Sequence, residues 1–280
     1  MNNKDITVIL LLYNTPQNLI KNLKYYTKYK ILILDQSNDI QLKKKIQNKF
    51  NNLDFYKVRS KNEGFSKGIN YLIKRVKTKY FLCTQPDILF KNKSIQELKK
   101  TISTNNNCVV AIPKIGGVKN YIKQKKNKNK IILANHFIGA IFIADTKKFK
   151  KLGMFDENFF FYWEDVDLSQ RIKKSKYNIK INLNLKAIHQ SGTSTKKNFL
   201  SMYLRNSNFK FGEYFFHYKY KKLKLIKILR EPMSLLFYFI LSLITLNVKK
   251  IIINFSYFVG ILKFYFFILK KIFLFPSKLF

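Results

Sequence analysis

From Ile6 to Pro113, short apolar runs alternate with longer helical patterns, and few folds accommodate that order. Ile6–Tyr13, Ile31–Asp35, Leu53–Arg59, Tyr80–Thr84 and Cys108–Pro113 are short and rich in Ile, Leu and Val, which predicts buried strands. Between them, Pro16–Thr27, Ile40–Phe50, Gly64–Lys77 and Ser94–Ser103 have room for crossover helices. Pro16 suits a first helical turn, and Ser94 can cap its helix with Glu97 three residues on. Strand–helix–strand repetition implies an α/β fold with a mostly parallel sheet flanked by helices.

Further along, Asn120–Lys130 is polar and basic and predicts an exposed loop. Ile131–Asp145 resumes as extended apolar structure around Gly139. A helix near Thr146–Leu152, an acidic stretch, a helix over about Glu164–Lys174 and a strand pair or single strand over Tyr177–His189 follow. Composition changes after about Lys196, so we expect a catalytic domain over 1–198 and a helical, basic and apolar extension over 199–280. Phe199–Arg230 is basic, aromatic and helical in pattern, and Pro232 is expected to interrupt it. Met233–Val248 and Ile251–Leu269 are apolar and separated by Lys249 and Lys250. A spanning helix needs about 20 apolar residues. The first segment is short for that and the second carries Lys263. Both suit an in-plane or re-entrant hairpin whose lysines snorkel to the surface, and a hairpin packed on the domain is the soluble alternative.

The balance of 54 Lys+Arg against 15 Asp+Glu gives a formal net charge of +39. Solvated lysine-rich faces, an anionic membrane surface and nucleic acid all fit such a charge. The last 50 or so residues are too apolar for a solvated nucleic-acid groove. We therefore expect solvated faces plus an anionic membrane surface as partner, and no nucleic acid. Cys83 and Cys108 lie in apolar runs, lack ligand spacing and read as small buried hydrophobes. Met1–Asp5 leads straight into a strand without a signal-like segment, which predicts a cytoplasmic location for this part of the chain.

Ligands of open parallel sheets gather at the carboxyl ends of the strands. Just past the predicted strands stand Tyr13-Asn14-Thr15, Asp35-Gln-Ser-Asn38, Lys61-Asn62-Glu-Gly64 and Gln85-Pro-Asp87. An aspartate at such an edge accepts from a base or ribose hydroxyl, holds a divalent cation, or merely caps the next helix. Asn62–Asn70 has Gly64 and Gly68 at a helix start, but matches neither the dinucleotide fingerprint nor the phosphate loop. The acidic stretch is more specific. Asp156, Glu157, Glu164, Asp165 and Asp167 fall within twelve residues, among Phe159, Phe160, Phe161, Tyr162 and Trp163. Aromatic neighbours desolvate a carboxylate and raise its pKa toward that of a general base, whereas acidic residues at a helix start also simply complement its dipole. Asp167 and Arg171, four apart, are spaced to pair. His136, His189 and His217 have no partner at ligand spacing. Ser191, Thr193 and Ser194 lie in no nucleophile-elbow pattern.

Taken in order, Thr7–Asn14, Asp35-Gln-Ser-Asn38, Asn62–Asn70, Gln85-Pro86-Asp87, Gly153–Arg171 and the downstream His189 resemble the family-2 inverting glycosyltransferases, most closely the bacterial rhamnosyltransferase-like branch, over about residues 5–210. The resemblance implies a GT-A fold that binds a nucleotide-diphosphate sugar and Mg²⁺ or Mn²⁺. By position, Asp35 would contact the base or ribose. Tyr13, Asn14, Asn62, Gly64 and Asn70 would line the donor pocket. Asp87 and His189 would hold the metal. Asp165 would be the catalytic base with Glu164 in support, and Gly139, Ala140 and Trp163 would lie on the acceptor side. Two departures stand out: Gln85-Pro86-Asp87 where relatives carry Asn-Pro-Asp or Asp-x-Asp, and Asp35-Gln-Ser where Asp-Asn-Ser is commoner. The implied acceptor is a lipid-linked saccharide, in building lipopolysaccharide, capsule or another surface glycan. The alternatives are a nucleotidyltransferase, for which Tyr13–Pro16 lacks a glycine-rich basic loop, and a non-catalytic basic protein binding membrane or nucleic acid.

Overall fold

The computed structural model describes residues 3–104, 106–116, 130–190 and 198–274. Most of the predicted loop over 120–130 and the serines and threonine after His189 lie outside the described residues. Two compact units are present: Met1–Asn158 with Glu164–Lys196, and Phe159–Trp163 with Lys197–Phe280.

The first unit is an α/β sandwich. Its strands are β1 (Ile6–Leu12), β2 (Lys30–Asp35), β3 (Leu53–Val58), β4 (Tyr80–Thr84), β5 (Ile88–Leu89), β6 (Cys108–Gly116), β7 (Ile131–Ala134), β8 (Phe142–Asp145) and β9 (Asn178–His189). They form one sheet in the order β3-β2-β1-β4-β8-β6-β9-β5, with β7 also on β9. β3, β2, β1 and β4 are parallel, as the alternating pattern requires, and so are β6 and β9. β8 runs antiparallel to both β4 and β6, and β5 and β7 run antiparallel to β9. β1 and β4 are apolar and buried along almost their whole length, which is what coverage on both faces demands.

Helices α1 (Ile40–Lys49), α2 (Phe65–Arg75), α3 (Asn92–Ser103), α4 (Thr146–Lys151) and α5 (Glu164–Lys173) fall close to the predicted segments. Three details differ. Gln17–Tyr26 is 3₁₀ rather than α, with Pro16 at its N-cap rather than inside the first turn. α3 starts before Ser94, with Lys91 at its N-cap, so Ser94 lies within the first turn and Glu97 pairs with Lys100 instead of closing a capping box. The two-residue β5 is too short to leave a periodic signal. Cys83 and Cys108 are free and buried, and burial raises both thiols, Cys108 to about 11.

The second unit is helical: α6 (Phe199–Lys219), α7 (Leu225–Ile244) and α8 (Val248–Leu274). Asn198 opens α6 with a capping box to Ser201. The predicted break at Pro232 does not occur, because Pro232 lies inside α7. Proline removes the amide that would bond to the carbonyl four residues back. That carbonyl, Ile228 O, accepts instead from Tyr265 Oη of α8 at 2.6 Å. The chain turns at Thr245–Asn247, and Lys249 and Lys250 belong to the first turn of α8 rather than to a linker. α6 and α8 approach closely at Gly260, where an added Cβ would meet the Ser207 carbonyl oxygen at 2.5 Å.

Candidate active site

The parallel half of the sheet brings the ends of β1, β2, β3 and β4 to one edge, with Leu12 in register with Asp35 and Asp35 with Val58. Asp35 ends β2 with no exposed surface. Its Oδ1 accepts from the backbone N–H and the hydroxyl of Ser37, and its Oδ2 accepts from Tyr56 Oη at 3.1 Å. A carboxylate offers about four acceptor positions, so about one remains. Burial raises Asp35 above the usual carboxylate range, and the Ser37 hydrogen bonds pull against that rise. Ser37 Oγ also accepts from the Asn14 N–H at 2.8 Å, which fixes the exit of β1 with Asn14 at φ 45°. Tyr13 is half-buried beside it.

Gln36, where Asn is commoner in the motif, is buried and binds the next loop. Its Oε1 accepts from the Glu63 N–H at 2.8 Å, and its Nε2 donates to Asn62 Oδ1 and Gly64 O at 3.3 and 3.2 Å. Asn62 Oδ1 also accepts from the Gly64 N–H, and Gly64 takes φ 89° to start α2. Asn70, expected in the donor pocket, is otherwise engaged. Its amide exchanges hydrogen bonds with the Phe155 backbone at 2.9 and 3.1 Å and donates to Glu157, tying α2 to the acidic stretch.

Asp87 follows β4, and its backbone carbonyl accepts from Gln190 N–H at 3.0 Å while Ile88 pairs with His189 across β5 and β9. Both Asp87 carboxylate oxygens are buried, and among the described residues neither accepts a hydrogen bond. The nearest described cationic or titratable partner is His189 Nε2, 3.5 Å from Oδ2. Buried acceptors are ordinarily paired. An orphaned carboxylate beside an imidazole therefore suits a divalent cation whose remaining ligands come from phosphate and water. No group of three or more His, Cys, Asp or Glu with metal-holding geometry occurs among the described residues.

Glu164 and Asp165 open α5. Asp165 is partly exposed and oriented from three directions. Its Oδ2 accepts the Gly139 N–H at 2.9 Å and its Oδ1 the Val166 N–H at 2.8 Å. Ser169 Oγ donates to the Asp165 carbonyl at 2.6 Å and accepts the Phe137 N–H at 3.2 Å, linking α5 to the Phe137–Gly139 loop. Burial raises the Asp165 carboxyl, countered by the Gly139 and Val166 amides and by the charge of His136. Glu164 is buried, and burial first, then the Asp165 charge, pushes it well above the carboxylate range. Burial thus disfavours the charged form of Glu164 more strongly than that of Asp165. Asp167 is fully buried and pairs with Arg171 Nε at 2.9 Å, while the Arg171 guanidinium also donates to the Leu152 and Met154 carbonyls.

The family model described as Glycosyl transferase family 2 matches residues 7–169, more than half of the chain. The chain belongs to this family. Its fold resembles three solved structures. GalNAc-T7 with UDP, GalNAc and Mn²⁺ is 15% identical, with a TM-score of 0.59, covering 75% of this chain and 48% of that one. The mannosyltransferase PcManGT of Pyrobaculum calidifontis with GDP-Man and Mn²⁺ is 12% identical, with a TM-score of 0.55, covering 76% and 64%. TarS of S. aureus is 14% identical, with a TM-score of 0.55, covering 93% and 91%. The chain thus spans about half the length of the GalNAc-T7 structure. No curated protein sequence matches the chain significantly.

Within this family-2 domain, two acceptor-side expectations change. Ala140 is buried in the hydrophobic core, so its side chain does not line an acceptor site. The aromatic residues before Glu164 have ring partners that the sequence did not point to. They belong to the helical unit, where Phe159 packs on Phe215, Tyr162 on Phe209, and Trp163 on Phe209, Phe216 and His217. Gly139 acts through its backbone N–H. Sequence reasoning gave no role to Tyr56 and Ser169, set His136 aside for want of a partner at ligand spacing, and quoted Ser37 only as part of the Asp35–Asn38 motif. Only Ser37 had a local signal, two residues after a strand-end aspartate, where a hydroxyl readily closes a turn.

Proposed function

We propose that the chain is an inverting glycosyltransferase that moves a sugar from a nucleotide-diphosphate donor to an acceptor hydroxyl, with Asp165 as general base. The observation carrying this reading is the Asp165 carboxylate, held by the Gly139 and Val166 amides, beside a Glu164 whose charged form burial disfavours. Asp165 takes the acceptor hydroxyl proton as that oxygen bonds to the anomeric carbon, and the bond from that carbon to the diphosphate oxygen breaks on the opposite face. The hydrogen bond from Gly139 orients the carboxylate without filling its second lone pair. Burial disfavours the charged form of Glu164, which favours placing the negative charge on Asp165. Asp35, Asn14, Ser37 and the Asn62–Gly64 turn form the edge for the base, ribose and diphosphate. Asp87 and His189 would hold Mg²⁺ or Mn²⁺, which supplies charge neutralisation for the departing diphosphate.

The reading extends to a lipid-linked saccharide acceptor at an anionic inner-membrane surface on the cytoplasmic face, as in lipopolysaccharide or capsule assembly, with rhamnose among the sugars to test first. Its support lies in the helical unit. Among the described residues one helix, Val248–Phe273 of α8, is long and apolar enough to cross a membrane, yet its Ile261 and Phe264 are buried and Lys263 bonds Ser207. α7 is the less covered helix. Leu229, Met233, Phe237, Ile240 and Ile244 are exposed along it, and Lys221, Lys222, Lys224 and Lys249, Lys250 flank it. Exposed apolar area rimmed by lysines matches an interfacial helix lying in the plane of anionic lipid.

The deciding experiment incubates the chain with a panel of nucleotide sugars, Mn²⁺ and membrane lipid extract and measures nucleoside diphosphate release, with chelator as control. We expect release with one donor, lowered by chelator. No release with any donor would favour the non-catalytic binding reading.

A further inference from the structure

One feature of the helical unit has no part in the chemistry above: a groove of about 590 Å³ lined by Tyr162, Met202, Arg205, Asn206, Phe209 and Tyr257, among others. Met202, Arg205, Asn206 and Phe209 stand at i, i+3, i+4 and i+7 of α6, so they share one helix face. Tyr162 and Tyr257 add rings from the aromatic segment and from α8. The lining contains no carboxylate. Arg205 Nε donates to Tyr162 Oη at 3.0 Å, and no described residue accepts from its remaining guanidinium N–H groups. Asn206 is likewise without a hydrogen-bond partner among the described residues. Tyr162 and Trp163 both take positive φ, 70° and 71°, a conformation that bulky side chains rarely adopt and that concentrates at functional sites. Gly212 makes the close passage possible, since a Cβ there would meet Trp163 Cδ1 at 2.9 Å and the Tyr162 carbonyl at 3.1 Å.

Flat rings, an amide and an arginine fork without an acidic partner form a recognisable set. Aromatic faces stack on the apolar face of a pyranose ring, the amide meets its hydroxyls, and guanidinium donors pair with a planar or tetrahedral oxyanion. We propose that this groove is a saccharide subsite, selective for a sugar bearing a carboxylate or a phosphate.

The chain has one tryptophan, Trp163, and its ring lies 5.8 Å from that of Phe209, which lines the groove. Its fluorescence is therefore a built-in reporter. The full chain is titrated with methyl glucuronide, glucose 6-phosphate and methyl glucoside at fixed ionic strength. Saturable changes with one or both anionic sugars, and at least tenfold weaker binding of the neutral one, are expected; the two anionic titrations show which oxyanion is preferred. Arg205→Gln should lower anionic affinity at least tenfold. Asn206→Asp, which disturbs no described hydrogen bond, should do the same by placing a carboxylate in the groove wall. Attraction to the overall charge alone would leave both variants like the parent, and that result, equal binding of the neutral sugar or the absence of any saturable response would overturn the proposal. Nucleoside diphosphate release separates the two readings. A parent that binds sugars but releases nothing from any donor loses the transferase reading only, whereas intact release without sugar binding removes the groove.

Discussion

The carboxyl edge of the sheet and the C-terminal helices handle polar and apolar groups in opposite ways. At the edge, Asp35, Gln36, Asn62 and Asp165 are each held by backbone amides or fixed side chains, and the apolar residues beneath them are buried. In the helices, Lys210, Glu213 and Glu231 make their ion pairs mostly out of solvent, while Phe237 and Ile244 are 63% and 74% exposed. The difference teaches what each region is built for. Fixed dipoles need no rearrangement when charge moves, which favours chemistry. An apolar face left in solvent is a surface built to be covered.

The strongest way to break this contrast is at the base. Asp165→Asn keeps the shape of the edge but not its proton acceptor, so kcat should fall about 10²–10⁴-fold while donor affinity changes little. In the parent, burial raises the Asp165 carboxyl, so kcat should fall on acidification through a value above the ordinary aspartate range. Near-normal turnover in the variant would remove Asp165 from the role. The next effect concerns the covered surface. Fully burying one large apolar side chain contributes about 1.5–3 kcal/mol. Phe237→Glu should therefore weaken binding to phosphatidylglycerol vesicles by about tenfold or more, with an unchanged melting temperature because Phe237 packs little. Unaltered vesicle binding would return α7 to the soluble alternative.

Two glycines sharpen the comparison of packing. A Cβ at Gly260 meets backbone, the Ser207 carbonyl at 2.5 Å, whereas one at Gly68 meets the Leu11 side chain at 2.6 Å. Overpacking costs about 1–3 kcal/mol when the neighbour cannot move. Gly260→Ala should lower stability in denaturant by that amount, and Gly68→Ala by less, because Leu11 can turn away. Equal losses would mean that the sheet is as unyielding there as the helix crossing. The smallest effect is at Glu164. Its folded pKa is raised by burial, so the folded chain binds this proton more tightly than the unfolded one. The stability this contributes is full below the ordinary carboxylate range and is lost as pH rises through the raised value. Glu164→Gln should melt with the parent in acid and a few degrees above it near pH 8. Parallel melting curves would show that Glu164 is not desolvated.

Much of the α/β unit was legible because β1, β2 and β4 are short, mostly apolar runs separated by helical patterns, an order with few solutions. The Asp167–Arg171 pair was legible because helical spacing is local. Other features were not. The 3₁₀ turn over Gln17–Tyr26 and the two-residue β5 leave no period to read. Pro232 looked like a helix end because its remedy, the Tyr265 hydroxyl on Ile228 O, lies 37 residues from the acceptor. The packing of the aromatic residues before Glu164 on α6 was not legible either, because α6 lies 35 or more residues downstream.

What the sequence determined by itself is the family, the first four strands in their order along the chain and the strand ends that carry Asp35, Asn62 and Asp87. These follow from periodicity and from motifs a few residues long, in which each residue's neighbours are its neighbours in sequence. Only the tertiary structure decided that Gln36 clamps the Asn62 turn, that Asn70 is engaged by Phe155, that Gly139 hydrogen-bonds Asp165, and that α7 rather than α8 is the less covered helix. Each of these depends on which group fills a lone pair or covers an apolar face, and the partner stands 16 to 85 residues away. Spacing along a chain carries no record of such meetings until the chain has folded.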